Sequence, residues 1–334
     1  MKVLYKYKRK GINTMTELET RLYETGLIPV ITLKDPAKAA DLAHALTEGG
    51  LPAAEITFRV EGAADAIRAM RAAEPNMLLA AGTVRTTAQV DAAIEAGVDF
   101  VVTPGLDPNI VRYCQEKGVP VIPGCATPSD LATANALGLT AVKFFPAEAA
   151  GGMAMIKAMS APYPMMKFMP TGGINENNLG DYLASDKVIA CGGSFMVKDA
   201  DLANNDFDAI RERTKASVLK MLNFRLFHVG INNPDADTAA RGIEVLTDMF
   251  GESTRESRSA FFYGSWFEVM KKIGRGQQGH IGIATPNIDR AVAYLRRKGY
   301  EFIEESRGYD AEGHLTVIYF KDEVMGFALH FSRA

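Results

Sequence analysis

Three groups of residues in this chain have the types and spacing to do chemistry. Lys143 sits inside the apolar run Ala141-Val142-Lys143-Phe144-Phe145-Pro146, where an ammonium is costly unless it is paired or neutral. A neutral amine is a nucleophile, and Schiff-base formation with a ketone needs one; the plainer reading is a lysine that reaches past a strand end to solvent. Glu55, Thr57 and Arg59 alternate along Ala54-Glu55-Ile56-Thr57-Phe58-Arg59. On an extended strand they share one face, so a carboxylate and a cation would point the same way, either as general acid/base groups or as a structural ion pair. The turns Pro170-Thr171-Gly172-Gly173 and Gly192-Gly193-Ser194 offer exposed backbone N–H groups to an anion, or are simply tight turns.

The elements that must position these residues follow from periodicity. Apolar strand-like runs occur at 27–33, 53–58, 77–84, 100–104, 120–125, 141–145, 166–170 and 188–194. Alanine-rich helical stretches lie between them, among them 36–48, 62–74, 87–96 and 175–184, with 205–222 closing the series. Eight strand-then-helix units in this length describe an α/β fold of the (β/α)₈ TIM-barrel type, with chemistry at the carboxyl ends of the strands and phosphate sites after the last two. Thr16-Glu17-Leu18-Glu19 reads as a capping box, so a short helix should cover the barrel bottom.

After Met221 alanines thin out and aromatics increase, and four of the five histidines lie there. An internal repeat marks this region: His228-Val229-Gly230-Ile231 through Ala239 aligns with His280-Ile281-Gly282-Ile283 through Ala291. Each copy reads as strand, turn, helix, and strands near 259–263, 266–270, 316–320 and 328–331 complete two βαβββ modules of a smaller α+β domain. The expected layout is an extension over 1–15, a barrel over 16–222 and the paired modules over 223–334. His44, in a barrel helix, and His314, in a hairpin loop, read as surface residues.

Composition narrows the partners. A chain of 334 residues, 47% hydrophobic and 23% charged with a net charge of −3, is an ordinary globular protein of two-domain size with no electrostatic reason to bind nucleic acid or an anionic membrane. No apolar run is long enough to span a bilayer. The basic start from Lys2 to Lys10 lacks the apolar stretch of a signal peptide and reads as an extension or an early start before Met15. Three widely spaced cysteines, Cys114, Cys125 and Cys191, argue for reduced thiols and a cytoplasmic setting.

Taken in order, Glu55-Ile56-Thr57-Phe58-Arg59, Ala81-Gly82-Thr83-Val84, Thr103-Pro104-Gly105, Pro123-Gly124, Lys143-Phe144-Phe145-Pro146-Ala147-Glu148, Pro170-Thr171-Gly172-Gly173 and Gly192-Gly193-Ser194 resemble the 2-keto-3-deoxy-6-phosphogluconate (KDPG) aldolase family. The resemblance covers about residues 16–222. It implies that Lys143 forms the Schiff base and Glu55 shuttles protons, that Arg59, Thr83 and Pro104 line the pyruvate end with Phe145 beside it, and that Gly172, Gly173 and Ser194 hold phosphate. It also implies a small phosphorylated keto acid as substrate, no cofactor for the cleavage, and a homotrimer. Thr171, and a threonine near position 32, favour the gluconate over the galactonate epimer by the same likeness.

The paired modules resemble the glyoxalase/vicinal-oxygen-chelate family, which implies a divalent metal held by His228, Glu268, His280 and His330. His330 departs from the glutamate more usual there. Two other readings remain open at this point: a phosphate-binding barrel isomerase in which Lys143 only pairs with substrate, and a metal-free binding or assembly role for the carboxyl-terminal modules.

Overall fold

The computed structural model describes residues 15–333, so the expected amino-terminal extension, apart from Met15, lies outside the described residues. Contacts divide the chain into two compact units meeting between Met221 and Leu222.

In the first unit the strands are β1 (Leu27–Ile31), β2 (Ala53–Thr57), β3 (Leu78–Gly82), β4 (Phe100–Val102), β5 (Val121–Ile122), β6 (Gly124–Cys125), β7 (Ala141–Phe144), β8 (Lys167–Pro170) and β9 (Cys191–Gly193). They pair in the orders β5-β4-β3-β2-β1-β9 and β6-β7-β8, and the parallel bridges Phe168 to Val188 and Thr171 to Gly192 join β8 to β9. The result is a parallel, barrel-like α/β fold. Its fifth wall is one expected strand broken at Pro123: that residue has no N–H for a ladder bond, while its carbonyl still accepts from Lys143 N at 2.9 Å. All five residues of β2 and of β3 are buried, which fits strands covered on both faces.

The helix Glu17–Thr25 carries the expected capping box, in which the Thr16 hydroxyl accepts from Glu19 N–H and the Glu19 carboxylate accepts from Thr16 N–H. Glu19 also takes the Thr140 hydroxyl at 2.5 Å. Leu22 of this helix is fully buried against Ile28, Ala53, Leu78, Phe100 and Ile189, residues at the amino-terminal ends of strands, so it plugs the floor opposite the carboxyl ends that bear Lys143 and Glu55.

Three expected helices are shorter than their periodicity suggests, each for a local reason. The stretch 36–48 begins as a single 3₁₀ turn, Pro36–Lys38, before Ala39–Glu48. In 175–184 only Leu179–Leu183 is helical, because the Asn175 and Asn178 side chains both donate to the Gly173 carbonyl at 3.0 Å and hold the preceding residues in a turn. The closing helix starts at Phe207, since Asn205 has φ 56°, the left-handed end of the short helix Asp199–Asn204. Cys114, Cys125 and Cys191 are free and buried; burial pushes the Cys125 thiol up to about 12.

The second unit is one eight-stranded sheet of β10 (Arg225–Ile231), β11 (Thr254–Glu256), β12 (Ala260–Tyr263), β13 (Phe267–Met270), β14 (Gly279–Thr285), β15 (Phe302–Tyr309), β16 (Leu315–Val324) and β17 (Phe327–Arg333). Its order, β11-β12-β13-β10-β14-β17-β16-β15, sets two four-stranded halves side by side. Each half is a βαβββ run, with the helices Ala236–Phe250 and Ile288–Arg297 following β10 and β14. In the first half Ala239 and Ile243 pack on Tyr263 and Val269, leaving the alternate residues Phe262 and Glu268 on the opposite face by the strand period of two.

Because Leu22 is completely enclosed, Leu22→Ala should lower unfolding stability by about 2–5 kcal/mol, measured by urea denaturation followed by far-UV circular dichroism. An unchanged midpoint would show that the helix does not seal the barrel floor.

Candidate functional site

Lys143 on β7 and Glu55 on β2 come from strands that do not pair with each other, yet Lys143 Nζ lies 3.0 Å from Glu55 Oε1. Their side chains are 6% and 0% exposed. The alternative of a lysine escaping to solvent is therefore not what the fold builds, and neither is a Glu55–Arg59 pair: the carboxylate goes to the amine. Gly82 makes this possible, since a Cβ there would stand 2.3 Å from Glu55 Oε1. The second oxygen, Oε2, is buried with no hydrogen-bond partner, an unmet acceptor that a substrate hydroxyl or a water can use.

Arg59, Phe145, Thr171, Gly172, Gly173 and Ser194 line one cavity of about 260 Å³, whose wall includes neither Lys143 nor Glu55. Lys143 Nζ is 5.4 Å from the ring centre of Phe145, the lining residue that connects the pair to this cavity. Arg59 is exposed, and among the described residues it has no ion pair, so its guanidinium can take a substrate carboxylate. Gly172 and Gly173 have φ of 99° and 81°, a conformation that glycine adopts at little cost. Thr32 and Asp199 also face the cavity, with the Thr32 hydroxyl 2.8 Å from that of Thr57.

Thr83 and Pro104, like Lys143 and Glu55, are absent from the cavity wall. Thr83 follows Gly82 with φ 59°, a left-handed conformation costly for a β-branched residue and typical of functional positions. Pro104 is reached through Gly124, where a Cβ would meet the Pro104 carbonyl oxygen at 2.3 Å; Gly124 is in register with Lys143.

In the second unit the three expected imidazoles meet, their ligand atoms within 4.8 Å of one another, and Glu268 reaches two of them. His228 Nε2 is 3.1 Å from His280 Nε2 and 3.2 Å from His330 Nε2, and Glu268 Oε2 is 3.1 Å from His280 Nε2 and 3.3 Å from His228 Nε2. Metal–donor bonds of about 2.0–2.1 Å put neighbouring donors roughly 2.9–3.4 Å apart in octahedral or tetrahedral geometry, so the set has the spacing of a ligand shell. His330 Nδ1 lies 3.2 Å from the Phe331 carbonyl, a contact that fixes the tautomer with Nε2 facing the cluster. Burial depresses His228 and pushes His330 down to about 4. For Glu268, burial acts upward, but the hydrogen bond to His280 and the nearby imidazoles outweigh it and hold the carboxyl below its usual range. The directions for His228, His330 and Glu268 are those that favour ligation by imidazole nitrogen and carboxylate oxygen. His44 is exposed beside Glu74 at 2.8 Å, and His314 faces Asp310 at 3.0 Å, in a partly exposed group with Glu312 whose ligand atoms lie within 4.8 Å of one another.

The model of the KDPG and KHG aldolase family matches residues 18–213. The chain belongs to this family. Over 197 residues it is 48% identical to the 2-dehydro-3-deoxy-phosphogluconate aldolase of Haemophilus influenzae, covering 59% of this chain and 93% of that one. It is 38% identical to the KHG/KDPG aldolase of Escherichia coli K12, over 62% of this chain and 97% of that one. The KDPG aldolase of Legionella pneumophila, whose crystal structure holds pyruvate as a covalent carbinolamine intermediate, superposes with a TM-score of 0.58 at 36% identity, over 60% of this chain and 97% of that one. This chain is accordingly a class I aldolase, a carbon–carbon lyase. No helix among its described residues is long and apolar enough to cross a membrane.

The aldolase also carries supporting residues that reading the sequence missed. Glu148 accepts a short hydrogen bond from the Tyr182 hydroxyl, and burial, followed by Glu148, raises the Tyr182 phenol. A Cβ on Gly173 would meet Glu148 Cγ at 2.5 Å, so this pair backs the glycine turn. The glutamate stood in a quoted motif, but its partner lies 34 residues away, beyond any spacing rule. Reciprocal glycines are the other missed feature. Gly230 is in register with His280 and Gly282 with His228, and a Cβ on Gly230 would meet the His280 ring at 2.0 Å.

Two outcomes follow. Gly82→Ala should reduce turnover by about tenfold or more, the scale of a misplaced reacting group, in steady-state assays of the folded variant; full activity would show that Glu55 tolerates displacement. Tyr182→Phe should raise KM for a phosphorylated substrate more than for an unphosphorylated one, and equal effects on both would remove Glu148–Tyr182 from the support of the glycine turn.

Proposed function

We propose that the barrel cleaves 2-keto-3-deoxy-6-phosphogluconate to pyruvate and glyceraldehyde 3-phosphate, and 4-hydroxy-2-oxoglutarate to pyruvate and glyoxylate. The observation that carries this reading is the enclosed 3.0 Å contact between Lys143 Nζ and Glu55 Oε1. Lys143 passes a proton to Glu55 and attacks the C2 ketone. Glu55 returns it to the departing hydroxyl, leaving an iminium. That cation withdraws electrons, so the C3–C4 bond breaks as the C4 hydroxyl loses its proton. The aldehyde leaves, and the pyruvate enamine is protonated at C3 and hydrolysed. Protonated nitrogen is the electron sink throughout, and the cleavage calls on no metal.

Arg59 holds the substrate carboxylate, Thr83 and Pro104 close the pyruvate end, Phe145 covers the amine, and Gly172, Gly173 and Ser194 receive the phosphate. Likeness to aldolases named for phosphogluconate, at 48% identity, supports the gluconate epimer, as do Thr171 and Thr32 on the cavity wall. The galactonate-type reading rests on a more distant structure, 27% identical. A barrel over 16–222, a cytoplasmic setting and a homotrimer belong to the same reading.

For residues 223–334 the proposal is a vicinal-oxygen-chelate-like domain with one divalent metal on His228, Glu268, His280 and His330. The βαβββ repeat and the 3.1–3.3 Å spacing of its donors support it. A bound ion would supply Lewis acidity at an open coordination position.

Aldol cleavage followed with both epimers tests the first part. Glu55→Gln should cut kcat by about 10²–10⁴, Lys143→Ala should abolish turnover, and preference for the galactonate epimer would overturn the assignment. Elemental analysis of the full chain tests the second: one equivalent of metal in the wild type should fall well below half in His228→Ala and His280→Ala. A metal-free wild type after incubation with zinc, nickel and manganese would leave the domain a binding or assembly module.

A further inference from the structure

The sheet of the second unit places an arginine stacked on an aromatic ring to each side of the donor cluster. In the first half Glu268 pairs across strands with Phe262, and Arg255, in register with Phe262 on the outer strand, sets its guanidinium 3.9 Å from that ring centre. In the second half His330 pairs with Tyr319, and the Arg275 guanidinium lies 4.9 Å from the Tyr319 ring centre. Among the described residues neither arginine is in an ion pair. Each arginine thus stands one ring away from a donor, and the halves differ in that ring: only Tyr319, 4.8 Å from the His330 ring and 6.4 Å from that of His280, carries a hydroxyl.

We infer that the ligand of this site is a small carboxylate, a short 2-oxo or 2-hydroxy acid, with Arg275 binding its carboxylate and the Tyr319 hydroxyl donating to it. This rests on the metal reading above. Three imidazoles and one carboxylate binding a divalent ion through their lone pairs leave a net positive centre, and the Arg275 guanidinium one ring away adds a second positive charge. Two such cations complement an anion whose oxygens can divide between them. A neutral diol or aldehyde would leave Arg275 unmatched. Two adjacent oxygens suit an ion whose protein donors crowd one side and leave neighbouring positions open. Short 2-oxo acids are also what the barrel releases in the proposed cleavage, so the second site would take a product class of the first.

The test uses the full chain carrying Lys143→Ala, which removes the amine that would otherwise capture a 2-oxo acid, loaded with Co²⁺ and assayed for metal content. Oxalate, a chelating carboxylate with no carbonyl to react, is titrated against the cobalt visible absorption. A saturable spectral change is expected. Arg275→Ala should weaken it by about tenfold or more, the loss of one hydrogen bond to a charged group, at unchanged cobalt content. Arg275→Lys should recover part of the loss, and Arg255→Ala should have little effect. An unchanged spectrum at full cobalt loading, or equal oxalate affinity in Arg275→Ala, would overturn the carboxylate assignment alone. Failure to take up cobalt at all would overturn the metal reading with it, and the metal assay made beforehand tells the two apart.

Discussion

One enclosed pair, an amine and a carboxyl group 6% and 0% exposed, constrains everything else in the barrel. Lys143 and Glu55 arise on strands that are not neighbours, so their contact spans the interior, and it exists only if both strands present the right residue at the same height. Register achieves that, through Glu55 beside Ala80 on one side and Lys143 beside Met169 on the other. Breaking such a buried pair strands a charge, whereas keeping it stores a proton donor and acceptor within one hydrogen bond. Gly82 and Gly124 read as clearances for this layer, one for the carboxylate and one for the Pro104 carbonyl. Leu22 closes the opposite end, so the polar layer sits on an apolar floor.

The second unit solves a similar problem with different groups. Bringing three imidazoles and a carboxylate onto one sheet face requires room for the rings, and the repeat supplies it by facing each first-strand histidine with the other copy's glycine. Duplication of one short motif thus generates both the ligands and the space for them. The same doubling sets Phe262 and Tyr319 on equivalent strands beside the donors, whereas the arginines on those rings come from different places, Arg255 from a strand and Arg275 from the connection between the two halves.

Much of this was readable before any coordinates. Period-two and alanine-rich periodicity located the strands and the long helices, and the lysine in an apolar run, the Glu55–Arg59 alternation and the late glycine turns marked one end of the fold. The His-x-Gly repeat pointed to its own cluster. What stayed hidden was long-range or conformational. Whether Glu55 turned to Arg59 or to Lys143 depends on a partner 88 residues away. The Tyr182 support for Glu148 has no local pattern, and the left-handed Thr83 is invisible in a residue type that rarely adopts it. Helix ends near Asn175 and Asn205 differ from the periodicity because the Asn175 side chain bonds the Gly173 carbonyl and Asn205 takes the left-handed conformation that caps the preceding helix.

Borohydride reduction of the full chain in the presence of pyruvate, followed by intact mass and peptide mapping, bears most directly on the central role of Lys143. One reduced pyruvyl group per chain, located on Lys143 and lost in Lys143→Ala, is the expected result. Recovery of unmodified wild-type protein, or capture on another lysine, would contradict it.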